Sequence, residues 1–259
     1  MKISYKVSGR FGNNLFQYIA AKLIQNEITK KDTFVEYVYN TPLDNAFIVT
    51  DKNYFEILKD VSPIINKNVY LDGYFQFDDH IINNKGYINS VINSYNNEYI
   101  NSNIKVSFLA NKLRENQYTY NSNEYVLHLR LDDFIGDRIV MKPDMYIDVI
   151  SSLNEGVTLI IVVDKVKHPW EIEYVRMLYE YAVKVKNMKV NISGDDDMFR
   201  DFCKLYYATN LISSNSTFSY LAGLLGYHKY TWCPVNTIYS HQSILKFDNN
   251  TVSKLVEYI

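Results

Sequence analysis

The chain alternates two kinds of apolar pattern, and that alternation restricts the folds open to it more than any other feature. Short runs rich in Val, Ile, Leu and Tyr recur at Ile3–Val7, Phe34–Tyr39, Val69–Leu71, Tyr125–Leu131, Thr158–Val163, Lys189–Ile192, Leu211–Ser213 and Tyr230–Cys233. Apolar runs of this length read as strands. Between several of them lie helical stripes. Leu15, Ile19 and Leu23, flanked by Phe16 and Ala20, recur at helical spacing. A second stripe runs from Pro143 through Tyr146, Ile147, Val149 and Ile150, with the proline where a helix start tolerates it. Trp170–Val185 and Met198–Tyr207 give two more. Strands alternating with helices predict an α/β fold whose parallel sheets are covered on both faces.

The middle of the chain, Ile81 to Asn123, breaks this rhythm. It is polar, Asn-rich and only loosely periodic around Ile88, Val91, Ile92, Tyr95, Tyr99 and Ile104. It reads as one or two helices followed by a connector, Glu115–Glu124, so that residues 1–122 and 123–259 form the two halves. The same composition also fits plain low complexity. A chain of 259 residues can bury a sizeable core as one large domain or as two of about 130. Its net charge of −2 supplies no general basic field, so nucleic acid is not an expected partner and any anion must be held locally. Cys203 and Cys233 have no metal-ligand spacing around them and read as small buried hydrophobes in a reducing compartment. No apolar stretch approaches the ~20 residues of a membrane span, and Met1–Ser8 alternates like a strand, so a cytoplasmic protein is expected. Abundant Asn, Ile, Tyr and Lys beside scarce Ala point to AT-rich coding DNA, as in a low-GC bacterium or a large virus.

Four segments carry candidate chemistry. Ser214-Asn215-Ser216-Thr217-Phe218-Ser219 joins one apolar run to the next, so it reads as a hydroxyl-rich turn opening a helix. Unpaired N–H groups and the helix dipole attract phosphate there, although the same residues also make a plain N-cap. Gly9-Arg10-Phe11-Gly12-Asn13-Asn14 follows the first strand; its glycines permit close approach of backbone to a ligand, or only a tight strand–helix turn. It is neither a dinucleotide fingerprint nor a P-loop. Asp72-Gly73-Tyr74-Phe75-Gln76 offers an aromatic wall beside an amide for a sugar or base, or simply a packed turn. In His128-Leu129-Arg130-Leu131-Asp132-Asp133-Phe134, strand alternation puts His128, Arg130 and Asp132 on one face. A buried arginine there needs a phosphate or a carboxylate, and an Arg–Asp pair at a sheet edge is the simpler alternative. Together these segments are the parts for holding a diphosphate without a metal ion. Asp195-Asp196-Asp197 and Asp132-Asp133 read as loop or helix-start acids rather than a metal cage.

In this order the segments resemble the α-1,2-fucosyltransferase family. Gly9 to Asn13 with Phe16-Gln17-Tyr18 resembles its Gly-rich opening, Gly73-Tyr74-Phe75-Gln76 its Gly-Tyr-aromatic-Gln segment, and His128 to Phe134 its His-x-Arg-Arg-x-Asp motif. Asp201-Phe202 followed by Leu211-Ile212 and Ser214 to Ser219 resembles the run into its Ser-Asn-Ser-Thr-Phe-Ser turn, and Trp232-Cys233-Pro234 a late strand ending in proline. The opening is also similar to that of the protein O-fucosyltransferases. The resemblance implies a GT-B-like α/β architecture, two Rossmann-like lobes facing across a cleft. It implies an inverting, metal-independent enzyme that moves fucose from GDP-fucose to a hydroxyl of a galactoside-type glycan in α-1,2 linkage, with no other cofactor. By position Arg130 would grip the β-phosphate, with His128 and Asp133 beside it as catalytic residues. Gly9, Arg10, Gly12, Asn13, Asp164, Ser214, Asn215, Ser216, Thr217 and Phe218 would bind the donor, and Tyr74, Phe75 and Gln76 the acceptor. Leu131 and Asp132 replace the second Arg and the Gly of the motif, and Val163-Asp164 shortens a Ser-Asp-Asp segment. Another nucleotide sugar, or an inactive nucleotide- or glycan-binding relative, is therefore the alternative reading. The oligomeric state is not legible.

Overall fold

The computed structural model describes residues 1–6, 8–30, 36–39, 45–93, 104–131, 140–194 and 197–233, with backbone alone at 36–39, 78 and 104–108. Expectations placed on Val7, Phe34, Tyr95, Tyr99, Asp132, Asp133, Phe134, Asp195, Asp196 and Pro234 lie outside the described residues. Among the described residues the protein is a mixed α/β structure with two parallel sheets. It divides into two compact units, Met1–Asn111 and Lys112–Ile259.

In the first unit the strands are β1 (Lys2–Tyr5), β2 (Glu36–Tyr39), β3 (Phe47–Val49) and β4 (Val69–Leu71), in the order β2-β1-β4-β3 and all parallel. Helix α1 (Phe11–Thr29) follows β1. It buries much more than one stripe: Leu15, Phe16, Ile19, Ala20, Ala21, Leu23 and Ile24 are all in the core. Helices α2 (Tyr54–Lys59), α3 (Asp78–Asn83), α4 (Lys85–Asn93) and α5 (Ile104–Glu115) follow, the last leading out of the unit. The short apolar run Phe47–Val49 is not among the predicted strands; the structure pairs it with β4 as β3.

The second unit contains β5 (Glu124–Leu129), α6 (Pro143–Ser152), β6 (Thr158–Val163), α7 (Pro169–Glu180), β7 (Lys189–Ser193), α8 (Met198–Tyr207), β8 (Asn210–Ile212), α9 (Thr217–Leu225) and β9 (Tyr230–Trp232). Its sheet runs β7-β6-β5-β8-β9, all parallel. Thr-Leu-Ile-Ile-Val-Val in β6 and Tyr-Val-Leu-His-Leu in β5 are nearly continuous apolar runs because helices cover both faces of the sheet centre. Leu127, Leu129, Leu159, Ile161 and Val163 pack with Tyr146, Val149 and Ile150 of α6 and Leu178 of α7. The chain begins at the sheet centre with β5 and winds outward to β7. It then returns to lay β8 and β9 on the other side of β5. The winding direction therefore reverses between β5 and β8, and in open α/β sheets ligands bind outside the carboxyl ends of the strands at such a point.

Strand β5 ends at Leu129, so Arg130 and Leu131 belong to the connection after it rather than to the strand. Leu131 is buried and joins the apolar core with Leu129 and Met141.

Candidate functional site

At the reversal point the exits of β5 and β8 lie side by side, since Leu127 is paired with Ile212. Arg130 emerges from the first, and Ser213–Ser216 from the second, leading straight into α9. Arg130 is half-buried, with its Nε and Nη2 shielded from water. A guanidinium keeps its charge under such conditions and presents a planar fork suited to phosphate. Ser216 is the N-cap of α9 and accepts from the Phe218 N–H at 3.3 Å. The first turn of α9 carries no acidic side chain, so its positive end is not neutralised from within.

The hydroxyls of the turn do not all face a ligand. Ser213 Oγ donates toward Ser219 Oγ at 2.9 Å, and Ser214 and Ser219 share a further bond at 3.1 Å. Ser214 Oγ also bonds His128 Nδ1 at 2.8 Å. All four side chains are buried, and the His128 ring packs 5.4 Å from that of Phe218, which in turn meets Phe202 edge-on. Burial pushes the His128 imidazole down to about 3, only partly offset by the nearby Asp164 charge. His128 is thus a neutral core histidine that shapes the turn. Ser214, expected as a donor contact, is committed to that network, and Phe218 packs inward. Asn215 and Thr217 are half-buried, and with the helix start they are the parts of the turn open to an anion.

Asp164 stands at the carboxyl end of β6, next in the sheet to β5, and is exposed. Its Oδ1 accepts from the Lys165 N–H at 2.7 Å. Gly194 follows β7, and a Cβ there would come within 2.5 Å of the Val163 carbonyl, so a side chain at this position would crowd the same edge. The hydroxyl turn, Arg130 and Asp164 are therefore gathered on one edge of the second unit.

The first unit gathers the other two segments on its own sheet edge. Central strands β1 and β4 are neighbours, and their exits lead into Ser8–Asn13 and Asp72–Gln76. Gln17 ties the two together: its Oε1 accepts from Ser8 N–H at 3.2 Å and its Nε2 donates to the Gly73 carbonyl at 2.9 Å. Gln76 Nε2 donates to Asn13 Oδ1 at 2.8 Å, and Asn14 Nδ2 donates to the Ser8 carbonyl at 2.9 Å. Gly9 has φ +74°, a conformation that strains any L side chain, and Arg10 is the exposed N-cap of α1. Gly12 lies inside the first turn of that helix and is buried.

Of the expected acceptor residues, only Tyr74 is presented to solvent. Phe75 is 3% exposed and packs 5.2 Å from the Tyr54 ring, so its face is not open to a sugar. Gln76 is buried against Asn13. Sequence reasoning missed Asp51, whose carboxylate accepts from Tyr74 N–H at 3.2 Å and Phe75 N–H at 2.6 Å. The signal for it was an acid just after the short Phe47–Val49 run, at a strand exit. Among the described residues no group of three or more His, Cys, Asp or Glu is placed to hold a metal ion, and no helix is long and apolar enough to cross a membrane.

No family model matches the chain, and no curated protein matches it. Among solved structures it is weakly similar to the crystal structure of POFUT1 in complex with GDP-fucose. That match has 13% identity, covers 88% of this chain and 94% of the other, and has a TM-score of 0.40. The apo form of POFUT1 is matched at 12% identity over 86% and 94% of the two chains, with a TM-score of 0.39. At this level of superposition, function has to be read from the chain's own residues.

Proposed function

We propose that this chain is a nucleotide-sugar glycosyltransferase that moves fucose from GDP-fucose, with inversion, to a hydroxyl of a galactoside-type glycan in α-1,2 linkage. The observation that supports the reading is that the segment bearing Arg130 and the hydroxyl turn that opens α9 leave neighbouring strands, β5 and β8, where the winding of the second sheet reverses. The donor, the linkage and a GT-B-like architecture are part of the proposal, and what supports them is the resemblance carried by the ordered motifs quoted above.

In this mechanism the bond between the sugar C1 and the β-phosphate oxygen breaks while the acceptor oxygen bonds C1 from the opposite face. Negative charge grows on the departing GDP. Arg130 meets it with a permanent charge, and the N–H groups opening α9 meet it with the helix dipole. This support is in place before the reaction, so little reorganisation opposes it. Charge is neutralised by protein groups alone in this scheme, which makes transfer metal-independent. The acceptor proton passes to a base. His128 is too weak a base for this and is already bonded to Ser214. Asp132 and Asp133, which follow Arg130 in the sequence, are proposed for the role.

A second reading keeps the nucleotide site and drops turnover. It is favoured by Leu131, which occupies the place of the motif's second arginine and is buried in the core instead of offering charge to a ligand. Purified protein assayed for nucleotide release from GDP-, UDP- and dTDP-sugars separates the two. Release from GDP-fucose that rises with a galactoside supports transfer. Tight GDP binding without release supports the second reading. No binding of any nucleotide refutes both.

A further inference from the structure

Each residue of the loop Asp72–Phe77 of the first unit is held by a hydrogen bond. Asp72 N–H donates to the Val49 carbonyl at 2.9 Å, and the Asp72 carboxylate pairs with Lys6 at 3.3 Å. Gly73 gives its carbonyl to Gln17. Tyr74 and Phe75 give their N–H groups to the two oxygens of Asp51. Gln76 is bonded to Asn13, and Phe77 N–H donates to the Phe75 carbonyl at 3.0 Å. A Cβ on Gly73 would lie 2.6 Å from the Asp51 carboxylate, so the residue that allows this clamp is glycine.

Phe75 sits at φ +55°, where a bulky L residue is strained. Such strain persists only when the surroundings over-determine the backbone, and it clusters at functional sites. Here it turns the Phe75 ring inward onto Tyr54 and leaves the preceding side chain, Tyr74, outside. Tyr74 is 43% exposed, directly before the strained residue and between two anchored neighbours. A large aromatic ring on a fixed backbone offers contact area to a flat apolar surface with little ordering left to lose on binding. The C–H face of a pyranose is such a surface.

We propose that Asp51 is a positioning residue that fixes Tyr74 as a stacking platform for a sugar ring of the glycan acceptor. This rests on the transferase reading for the name of the ligand, whereas the platform can be tested by binding alone. Asp51 works through the loop and touches no substrate. An aspartate suits the clamp because both of its oxygens accept; an asparagine keeps one acceptor and turns a donor toward a second N–H.

The test is titration of lactose, as a galactoside probe, into the full chain, followed by ligand-observed NMR. Wild type and Tyr74→Phe should bind alike, since stacking needs the ring and not the hydroxyl. Tyr74→Ala should weaken binding about tenfold. Asp51→Asn should weaken it by a similar factor while its thermal midpoint shows it folded. If Asp51→Asn does not fold, Asp51→Glu, whose longer side chain shifts both acceptors, takes its place and should also weaken binding. Lactose affinity equal to wild type in a folded Asp51 variant removes Asp51 from the proposal. Equal affinity in wild type and Tyr74→Ala, or no lactose binding by wild type, overturns the proposal. Donor turnover is measured separately on wild type: its absence counts against the transferase reading, and the titration still decides the platform.

Discussion

Replacing His128 by asparagine should flatten the acid side of the protein's stability curve. In the folded state burial holds the imidazole neutral, at about 3 against an ordinary value of 6.5. Between those values the unfolded chain binds a proton that the folded chain does not. Stability contributed by this site is therefore complete above about pH 7 and falls as the pH drops through 6.5. At about pH 5 the unfolded state lies some 1.5 units below its pKa, and each unit is worth about 1.4 kcal/mol, so the loss is about 2 kcal/mol. This figure needs only that the folded value lie well below 5. Asparagine can still bond Ser214 but cannot titrate. Losing the ring beside Phe218 leaves space that costs about 1–3 kcal/mol at every pH. Urea unfolding followed by fluorescence at about pH 7.5 and pH 5 gives the four free energies required. Wild type should lose about 2 kcal/mol more than the variant across that interval. Equal losses would show that His128 is protonated, or solvated, in the folded protein, and would reopen its candidacy as a catalytic base.

Other outcomes follow from the same contacts. Arg130→Lys should lower donor turnover by about 10²–10³ in a GDP-release assay, because a point charge does not reproduce the fork; near-normal turnover removes Arg130 from the mechanism. Ser219→Ala takes away the hydroxyl shared with Ser213 and Ser214 and should cost about 1–2 kcal/mol in urea unfolding. Gly73→Ala forces the Asp51 carboxylate aside and should destabilise by about 1–3 kcal/mol by the same measure. Turnover, once found, should survive excess EDTA unchanged.

The framework of the second unit was legible because its central strands are buried on both faces. Thr158–Val163 matches β6 and Met198–Tyr207 matches α8, residue for residue. The Val69–Leu71 run likewise coincides with β4. Tertiary partners decided the features that were not legible. Nothing near His128 in sequence says that its ring will meet Ser214, 86 residues away, so a buried histidine read as a catalytic one. Phe75 looked like a ligand wall because an aromatic pair carries no mark of which ring turns inward; Tyr54, on an unforeseen helix, decides it. Asp51 was passed over because the short Phe47–Val49 run ahead of it was not read as a strand; its pairing with β4 shows that it is one. The last turn of the Trp170–Val185 pattern is also wider than an α-helix, a π turn at Tyr181–Val185.

The most direct test of the account is a crystal structure of the chain with GDP. The diphosphate should lie against the start of α9, within hydrogen-bond reach of the Arg130 guanidinium and outside the carboxyl ends of β5 and β8. GDP bound anywhere else, or bound there with Arg130 turned away from the phosphates, would contradict it.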